Sequence, residues 1–311
     1  MLVPESRKER IHKKERKTRR LAYAACLLTA LFAGAIVGAE ASGHCLEIPV
    51  VEQTANAAET VVEKEVAVTP ASDEKSLRVD KTRIWLNAAQ AQEGVEAPVF
   101  IALCVHEVRN DRPNDALAIS TDNFRKIIRE FKSQGYWFID SNDLVAIKNS
   151  KMAQPPKTVF LSFDDGYEDN YTNAFPIIRE EGVKATFFLI TDYIGKENRM
   201  NADQIKQMAA AGMSFGSHTV SHGELVKLSA EDLLKEMSES KAVLQRDYGI
   251  TAESIAYPGG FQSEEVLEQA RENYEIAFTA NMDVSVPDTA HTIHRFGVFR
   301  WSNSIANIIG D

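Results

Sequence analysis

Cysteine is scarce in this 311-residue chain, which has only Cys26, Cys45 and Cys104. Cys26 falls within a long apolar run, so at most two cysteines can lie outside that run. A scaffold held by disulfides needs more than two. We therefore expect free thiols, with Cys104 acting as a small apolar residue on a buried strand.

Basic residues are outnumbered by acidic ones once the first twenty positions are set aside. The formal net charge is −10, although residues 1–20 contain nine Lys or Arg and only three Glu. The rest of the chain is therefore strongly acidic. Binding to nucleic acid requires basic surface, so we exclude nucleic acid as a partner.

One run has no charge at all: the nineteen residues Leu21 to Ala39. A helix needs about 20 apolar residues to cross a bilayer, and a basic head before the run favours a cytoplasmic N-terminus. These features predict a cytoplasmic head at 1–20, a transmembrane anchor at 21–39 and an extracellular remainder of a single-pass cell-membrane protein. Ala39-Glu40-Ala41 keeps a cleaved signal peptide, and hence secretion, as the alternative.

Residues 40–95 contain few aromatics and no sustained apolar period. Short charged stretches such as Glu59-Thr60-Val61-Val62-Glu63-Lys64-Glu65 interrupt them. Such composition is typical of segments that do not bury a core. We predict a flexible stem over 40–95 that holds a folded domain, residues 96–311, away from the membrane.

After Pro98 apolar strands alternate with amphipathic helices, which predicts an α/β fold with parallel strands inside a layer of helices. About seven such units fit a distorted or incomplete (β/α) barrel, in which the carboxyl ends of the strands surround the site. The predicted strands are Val99–Val105, Trp137–Ile139, Thr158–Phe163, Ala185–Ile190, Met213–Gly216, Ser254–Tyr257, Glu275–Thr279 and His294–Phe299, and the predicted helices are Thr121–Gly135, Tyr171–Glu181, Ala202–Ala211, Ser229–Tyr248 and Ser263–Glu272.

Chemistry-bearing residues follow several of these strands. Asp164 and Asp165 end one strand, and Gly166 allows the chain to bend so that one carboxylate binds a metal while the other approaches its water. His218 and His222 follow another strand and would share one face if the segment were helical. An Asp-Asp-Gly turn and a pair of surface histidines are the structural alternatives.

His106 follows the first strand of the domain in the sequence Cys104-Val105-His106-Glu107. An imidazole at the mouth of a barrel is well placed to donate a proton to a leaving amine. A hydrogen-bonded surface histidine is the alternative.

Four aromatic residues are candidates for stacking on sugar rings: Tyr167, Tyr257, Phe261 and Trp301. Arg295 either reaches the site or forms a structural salt bridge.

These motifs identify a resemblance. Residues 98–300 resemble the polysaccharide deacetylase family, also called the NodB-homology family or carbohydrate esterase family 4. Ser162-Phe163-Asp164-Asp165 matches its (T/S)-F-D-D motif, and His218-Thr219-Val220-Ser221-His222 matches H-(S/T)-x-x-H. The resemblance implies that Asp165, His218 and His222 bind a metal and that Asp164 is the general base.

Two departures place the chain near one branch of that family. Ala256-Tyr257-Pro258-Gly259 occupies the place of the third motif, R-x-P-(Y/F), so the arginine that usually steadies the base is missing. A late leucine-x-histidine motif has no clear match either. Both departures resemble the poly-N-acetylglucosamine deacetylases, in which the catalytic histidine comes from an early Y-H-x-V segment, here Val105-His106-Glu107-Val108.

The resemblance implies a metal-dependent hydrolase that removes N-acetyl groups from an extracellular or cell-wall N-acetylglucosamine polymer and releases acetate. It implies Asp164 as base, His106 as acid and the backbone amide of Gly259 as a donor to the oxyanion. Zinc is the first expectation for the metal, with cobalt, nickel or manganese as alternatives. A silent polysaccharide-binding relative and an O-acetyl esterase are the competing hypotheses, and the oligomeric state stays open.

Overall fold

The computed structural model describes residues 82–84, 86–280 and 289–310. Its strands are β1 (Val99–Val105), β2 (Glu107–Val108), β3 (Ala118–Ile119), β4 (Trp137–Ile139), β5 (Lys157–Phe163), β6 (Thr186–Leu189), β7 (Ser214–Ser217), β8 (Ser254–Ala256), β9 (Ile276–Thr279), β10 (Ile293–His294) and β11 (Phe296–Gly297). Its α-helices are α1 (Thr121–Ser133), α2 (Ser141–Lys148), α3 (Phe175–Glu181), α4 (Ala202–Ala210), α5 (Ala230–Tyr248), α6 (Glu264–Asn273) and α7 (Ile305–Ile309).

The main sheet is parallel and curls back on itself. Its strands run in the order β10–β9–β8–β7–β6–β5–β1–β11, with β4 paired to the first half of β5. Only Arg295 separates β10 from β11, so the segment 293–297 pairs with β9 through one end and with β1 through the other. The result is the nearly closed, barrel-like α/β fold that the alternation of strands and helices predicts.

Side chains alternate between the two faces of each strand, and both faces are buried because helices cover the outside. Phe100 and Ala102 on β1 belong to the same apolar cluster as Phe160 on β5 and Phe278 on β9. Phe160 and Phe278 stack at 4.5 Å inside the barrel. The odd-numbered residues of β1 pack instead with the residues of α1 and α3. Cys104 and Asp164 continue the inward series toward the carboxyl ends of β1 and β5.

Polar caps set the helix boundaries. Ser120, Asp140, Ser229 and Ser263 each accept a hydrogen bond from a backbone amide of the first turn, which is the usual role of such N-cap residues. α5 ends at Gly249, whose φ of 69° lies in the left-handed region that a C-terminal cap requires. This long helix runs beside the loop that follows β7.

The structure corrects several predicted elements. It contains α2, which the sequence analysis did not predict, and it starts the helix predicted at 171–181 as a π-helix, Asn170–Ala174, before α3 begins. The predicted last strand is divided into β10 and β11. The last change is a short interruption at one residue, Arg295, which strand periodicity alone does not reveal.

Residues 82–84 pack on the barrel, because Ile84 N donates to Pro98 O and Phe100 N donates to Thr82 O. The last part of the predicted stem, from residue 82, therefore contacts the domain. The predicted head, anchor and remaining stem lie outside the described residues, as do Cys26 and Cys45. Within the described part of the chain, no helix combines the length and the apolarity needed to cross a bilayer.

Candidate active site

Asp164 and Asp165 leave the carboxyl end of β5 in different directions. Asp164 follows Ser162 in the inward series and is 3% exposed. Asp165 has a φ of 70° and Gly166 a φ of 66°, so the chain turns sharply after the strand. Arg199 stabilises this turn by donating from Nη1 to the Asp165 carbonyl oxygen at 3.0 Å. The bend predicted at Gly166 thus begins one residue earlier, at Asp165.

Asp165, His218 and His222 converge. Asp165 Oδ1 lies 3.4 Å from Nε2 of His218 and 3.4 Å from Nε2 of His222. The candidate ligand atoms of all three residues lie within 4.8 Å of one another. His218 Nδ1 is 2.7 Å from the Ala256 carbonyl oxygen, which can only accept a hydrogen bond, so Nδ1 carries the proton and Nε2 points its lone pair toward Asp165.

The donor set fits a divalent cation. Two imidazole nitrogens and one carboxylate oxygen are the protein ligands of a hydrolytic site that keeps a position open for water. Asp165 Oδ1 is buried and has no hydrogen-bond partner within the described part of the chain, since a 3.4 Å contact is too long for a strong hydrogen bond. A buried anionic oxygen without a donor is costly, and a cation bound there would satisfy it.

The pKa values of Asp165, His218 and His222 are all shifted by burial and by the other charged groups of the site. Burial and the neighbouring His218 lower the pKa of His222 to about 4, so this imidazole is neutral at pH 7 and can act as a ligand. Burial raises the pKa of Asp165, but its contacts with His218 and His222 outweigh burial and hold the pKa well below its usual range. Burial lowers the pKa of His218, but Asp164 and Asp165 outweigh burial and raise it overall, so the two carboxylates favour positive charge in this part of the site.

The segment that carries both histidines is a loop. Thr219 and His222 have φ values of 69° and 64°, which excludes the helix that was considered for the H-x-x-x-H spacing. The ring centroids of His218 and His222 nevertheless lie 4.9 Å apart. The loop therefore brings both imidazoles to one point by a turn, and helical spacing is not the reason.

Asp164 is held by a residue far away in the chain. Arg295 Nη1 donates to Asp164 Oδ1 at 2.7 Å, and Nη2 donates to Oδ2 at 2.8 Å. Arg295 is 1% exposed and its guanidinium lies near the rings of Phe188 and Phe278. Burial raises the pKa of Asp164, but Arg295 together with His218 and His106 outweighs burial and lowers it to about 2. Arg295 thus reaches the site and forms a salt bridge at the same time.

Cys104 is a free buried thiol, as predicted, but it is more than an apolar filler. Its Sγ donates to Asp164 Oδ2 at 3.3 Å. A carboxylate offers about four acceptor positions, and Arg295 and Cys104 take three of those of Asp164. One acceptor position, on Oδ1, is left for a further donor.

His106 lies between β1 and β2, close to Asp164. One of its ring nitrogens lies within 4.8 Å of the ligand atoms of Cys104 and Asp164, and its Nδ1 is buried without a hydrogen-bond partner within the described ranges. Asn170 fixes the backbone by donating to the His106 carbonyl oxygen at 2.7 Å. The structure therefore groups His106 with Cys104 and Asp164, while its role in proton transfer stays a prediction.

Gly259 follows β8, three residues after the Ala256 carbonyl that His218 contacts. Its φ is 65°, and a Cβ at this position would lie 2.9 Å from the Phe261 ring. Glycine is therefore required here by the backbone conformation and by the nearby ring.

Of the candidate sugar-stacking residues, Tyr257 is buried and its hydroxyl donates to His291 O, whereas Phe261 is 38% exposed. Tyr167 lies under the Arg199 guanidinium, and Trp301 stacks on Phe299.

Comparison with known proteins adds independent information. Residues 151–275 match the model of the family described as polysaccharide deacetylase. YxkH of Bacillus subtilis (strain 168), named for that family, is 27% identical over 263 residues, which cover 82% of this chain and 90% of YxkH. Poly-beta-1,6-N-acetyl-D-glucosamine N-deacetylase of Staphylococcus aureus is 29% identical over 164 residues, or 48% of this chain and 56% of that enzyme.

A solved structure agrees with this relationship. The deacetylase PplD of Streptococcus pyogenes, determined in complex with acetate, superposes with a TM-score of 0.58 at 28% identity. The superposition covers 65% of this chain and 92% of PplD. The matched family region contains Asp164 and all three residues of the converging cluster, Asp165, His218 and His222. The resemblance read from the two motifs is therefore confirmed, and the chain carries a polysaccharide deacetylase domain of the NodB-homology type.

Proposed function

We propose that this protein is a metal-dependent hydrolase that removes N-acetyl groups from an N-acetylglucosamine-containing polysaccharide and releases acetate. The observation that carries the proposal is the convergence of Asp165 Oδ1 with Nε2 of His218 and His222, beside the buried Asp164 carboxylate. The family of the domain supports the hydrolytic chemistry, and the similarity to the staphylococcal N-deacetylase supports the substrate class.

Asp165, His218 and His222 would hold the cation through one oxygen and two nitrogens. A divalent cation in such a site supplies a Lewis acid for the acetamide carbonyl and lowers the pKa of water. Zinc suits two imidazoles and a carboxylate, and cobalt, nickel or manganese can replace it. The Ala256 carbonyl keeps the His218 proton on Nδ1, so Nε2 is ready to act as a ligand.

Asp164 and His106 carry out the two proton transfers, and Gly259 stabilises the charge that develops between them. Asp164 takes a proton from the attacking water through its one open acceptor position, as the water oxygen bonds to the acetamide carbon. The Gly259 amide donates to the oxygen that gains charge. His106 then gives a proton to the sugar nitrogen as the carbon–nitrogen bond breaks. One water is consumed, and acetate and a free amine are formed.

Arg295 bears on the hypothesis of a silent relative, which the missing arginine of the third motif would favour. A guanidinium binds both oxygens of Asp164 although Ala256 occupies the motif position. An ionised, oriented base is therefore available without that arginine. This weakens the case for a silent polysaccharide-binding protein, and O-acetyl esterase activity becomes an outcome of the assay below.

We also propose that the domain works outside the cell, held there by the anchor predicted at 21–39. The apolar run with a basic head before it supports this orientation. An acetylated polymer of the cell surface is a substrate too large to cross the bilayer, so an exposed site is required to reach it.

The test measures acetate release from N-acetylglucosamine oligomers, and from O-acetylated oligosaccharides in parallel, by the full-length protein before and after chelation and after re-addition of zinc. We expect activity to disappear with chelation and to return with metal. His222→Ala serves as the matched variant and should stay inactive after zinc is added. Equal turnover with chelator would contradict metal dependence, and release only from O-acetylated sugars would favour the esterase.

A further inference from the structure

The loop His218–His222 is held in a conformation that its residues do not favour. Thr219 and His222 both have positive φ, and Thr219 is β-branched, so its left-handed conformation is a true outlier. Such conformations persist only where surrounding contacts impose them. Backbone amides of Thr191 and Asp192 bind the carbonyl oxygens of Thr219 and Val220, and a side chain of a neighbouring helix, α5, binds the amides at the centre of the loop.

Glu236 on α5 binds three donors of this loop. Its Oε2 accepts from Val220 N and Ser221 N, each at 2.9 Å. Its Oε1 accepts from Ser221 Oγ at 2.5 Å. One half-buried carboxylate therefore occupies two consecutive amides at the centre of the loop, between the two imidazoles.

Ser240 lies four residues further along the same face of α5 and assists Glu236. Its Oγ is 2.8 Å from Ser217 Oγ, which accepts from Thr219 N at 3.0 Å. Inside the loop, Thr219 Oγ1 accepts from His222 N at 3.1 Å. The amides of residues 219–222 are thus all bound to side-chain oxygens, and Glu236 supplies the only charged one among these acceptors.

We propose that Glu236 is a positioning residue that presets His218 and His222 for the cation. Within the described part of the chain it forms no hydrogen bond with either imidazole, and it acts by fixing the turn from which both project. The inference rests on the metal site of the proposed function. Outer-shell groups of this kind typically change metal affinity by about 10–100-fold when removed.

The experiment measures zinc binding to the metal-stripped full-length protein by titration calorimetry, with the visible spectrum of bound cobalt as a second readout. We expect Glu236→Ala to bind zinc at least about tenfold more weakly, with an altered cobalt spectrum. Glu236→Gln should stay within a few-fold of the unaltered protein. The side-chain oxygen of the glutamine can accept from both backbone amides, while its side-chain NH2 donates to Ser221 Oγ.

Glu239→Ala is the matched control, because Glu239 is an exposed glutamate on the same helix. Circular dichroism establishes that each variant is folded. If Glu236→Ala lowers the melting temperature but leaves zinc affinity and the cobalt spectrum unchanged, the role is purely structural and the proposal is overturned. If the unaltered protein binds no stoichiometric zinc, or binds it equally well with His222→Ala, the metal site itself is wrong.

Discussion

Asp164 and Asp165 are neighbours in the chain, yet they belong to two differently built halves of the site. Arg295 and Cys104 supply three donors to Asp164, whose pKa falls to about 2. Asp165 faces two imidazoles, and its Oδ1 has no hydrogen-bond donor within the described ranges. A carboxylate supplied with donors is a fixed anion, whereas one that lacks them attracts a cation. Two chemical roles therefore arise from one strand end because the chain turns at Asp165.

Asp165→Asn should have the largest effect, because it removes the charged ligand from the cation-binding half of the site. Asparagine tolerates positive φ, so the turn should survive while the charged ligand is lost. We expect loss of stoichiometric zinc and a fall in acetate release larger than the roughly 10–100-fold seen for outer-shell changes. Metal analysis and the acetate assay measure both. A variant that keeps its zinc and its rate would remove Asp165 from the ligand set.

His106→Asn tests the half of the site that contains Asp164. If His106 protonates the leaving amine, its loss should slow acetate release by about 10²–10⁴-fold. Zinc affinity should not change, since His106 is not among the three converging ligands. Parallel calorimetry and rate measurements separate the two effects. Loss of zinc together with the rate would mean that His106 acts at the cation.

Arg295→Leu should lower the free energy of unfolding, because it removes the partner of the buried Asp164 carboxylate. Removing one partner of a buried ion pair leaves an uncompensated charge, which typically costs about 3–5 kcal/mol. The free energy of unfolding in urea measures this cost. Adding Asp164→Asn to Arg295→Leu should recover part of it, because no buried charge is then left alone. Equal stabilities of the single and double variants would show that the two side chains are not energetically coupled.

Asp169 is a second buried aspartate, and its pKa is shifted in the opposite direction from that of Asp164. Its closest cation, Arg109, has Nη1 3.8 Å from Oδ2, and burial, reinforced by Glu107, raises the pKa of Asp169 to about 6. A raised folded-state pKa means that the native state binds more protons, so this group lowers stability as the pH rises from about 4 to about 6.

Asp169→Asn should therefore be more stable than the unaltered protein above pH 6, by on the order of 2 kcal/mol, and equal to it near pH 4. The amide oxygen can still accept from Val108 N, as Oδ1 does now. Urea unfolding between pH 4 and pH 7 tests the difference in slope, with the exposed Asp192→Asn as control. Parallel curves for the two proteins would contradict the raised pKa.

Most of the cation-binding half could be predicted because its residues lie in short motifs at strand ends. Asp164-Asp165 and His218-x-x-x-His222 follow strands whose apolar runs are visible in the sequence, and parallel strands bring their carboxyl ends together. The half around Asp164 was harder to predict. Arg295 stands in no motif, and Cys104 resembles any small residue on a buried strand.

The amino-acid order alone is enough to predict the alternation of strands and helices, the strand ends that carry the ligands, and the family of the domain. These are local properties, set by apolar periodicity and by residues a few positions apart. Two contacts follow only from the three-dimensional packing: Arg295, which lies between β10 and β11, binds Asp164, and Glu236 on α5 binds two amides of the histidine loop. Such contacts join residues distant in the chain, and their energies depend on burial and on distances that no linear pattern records.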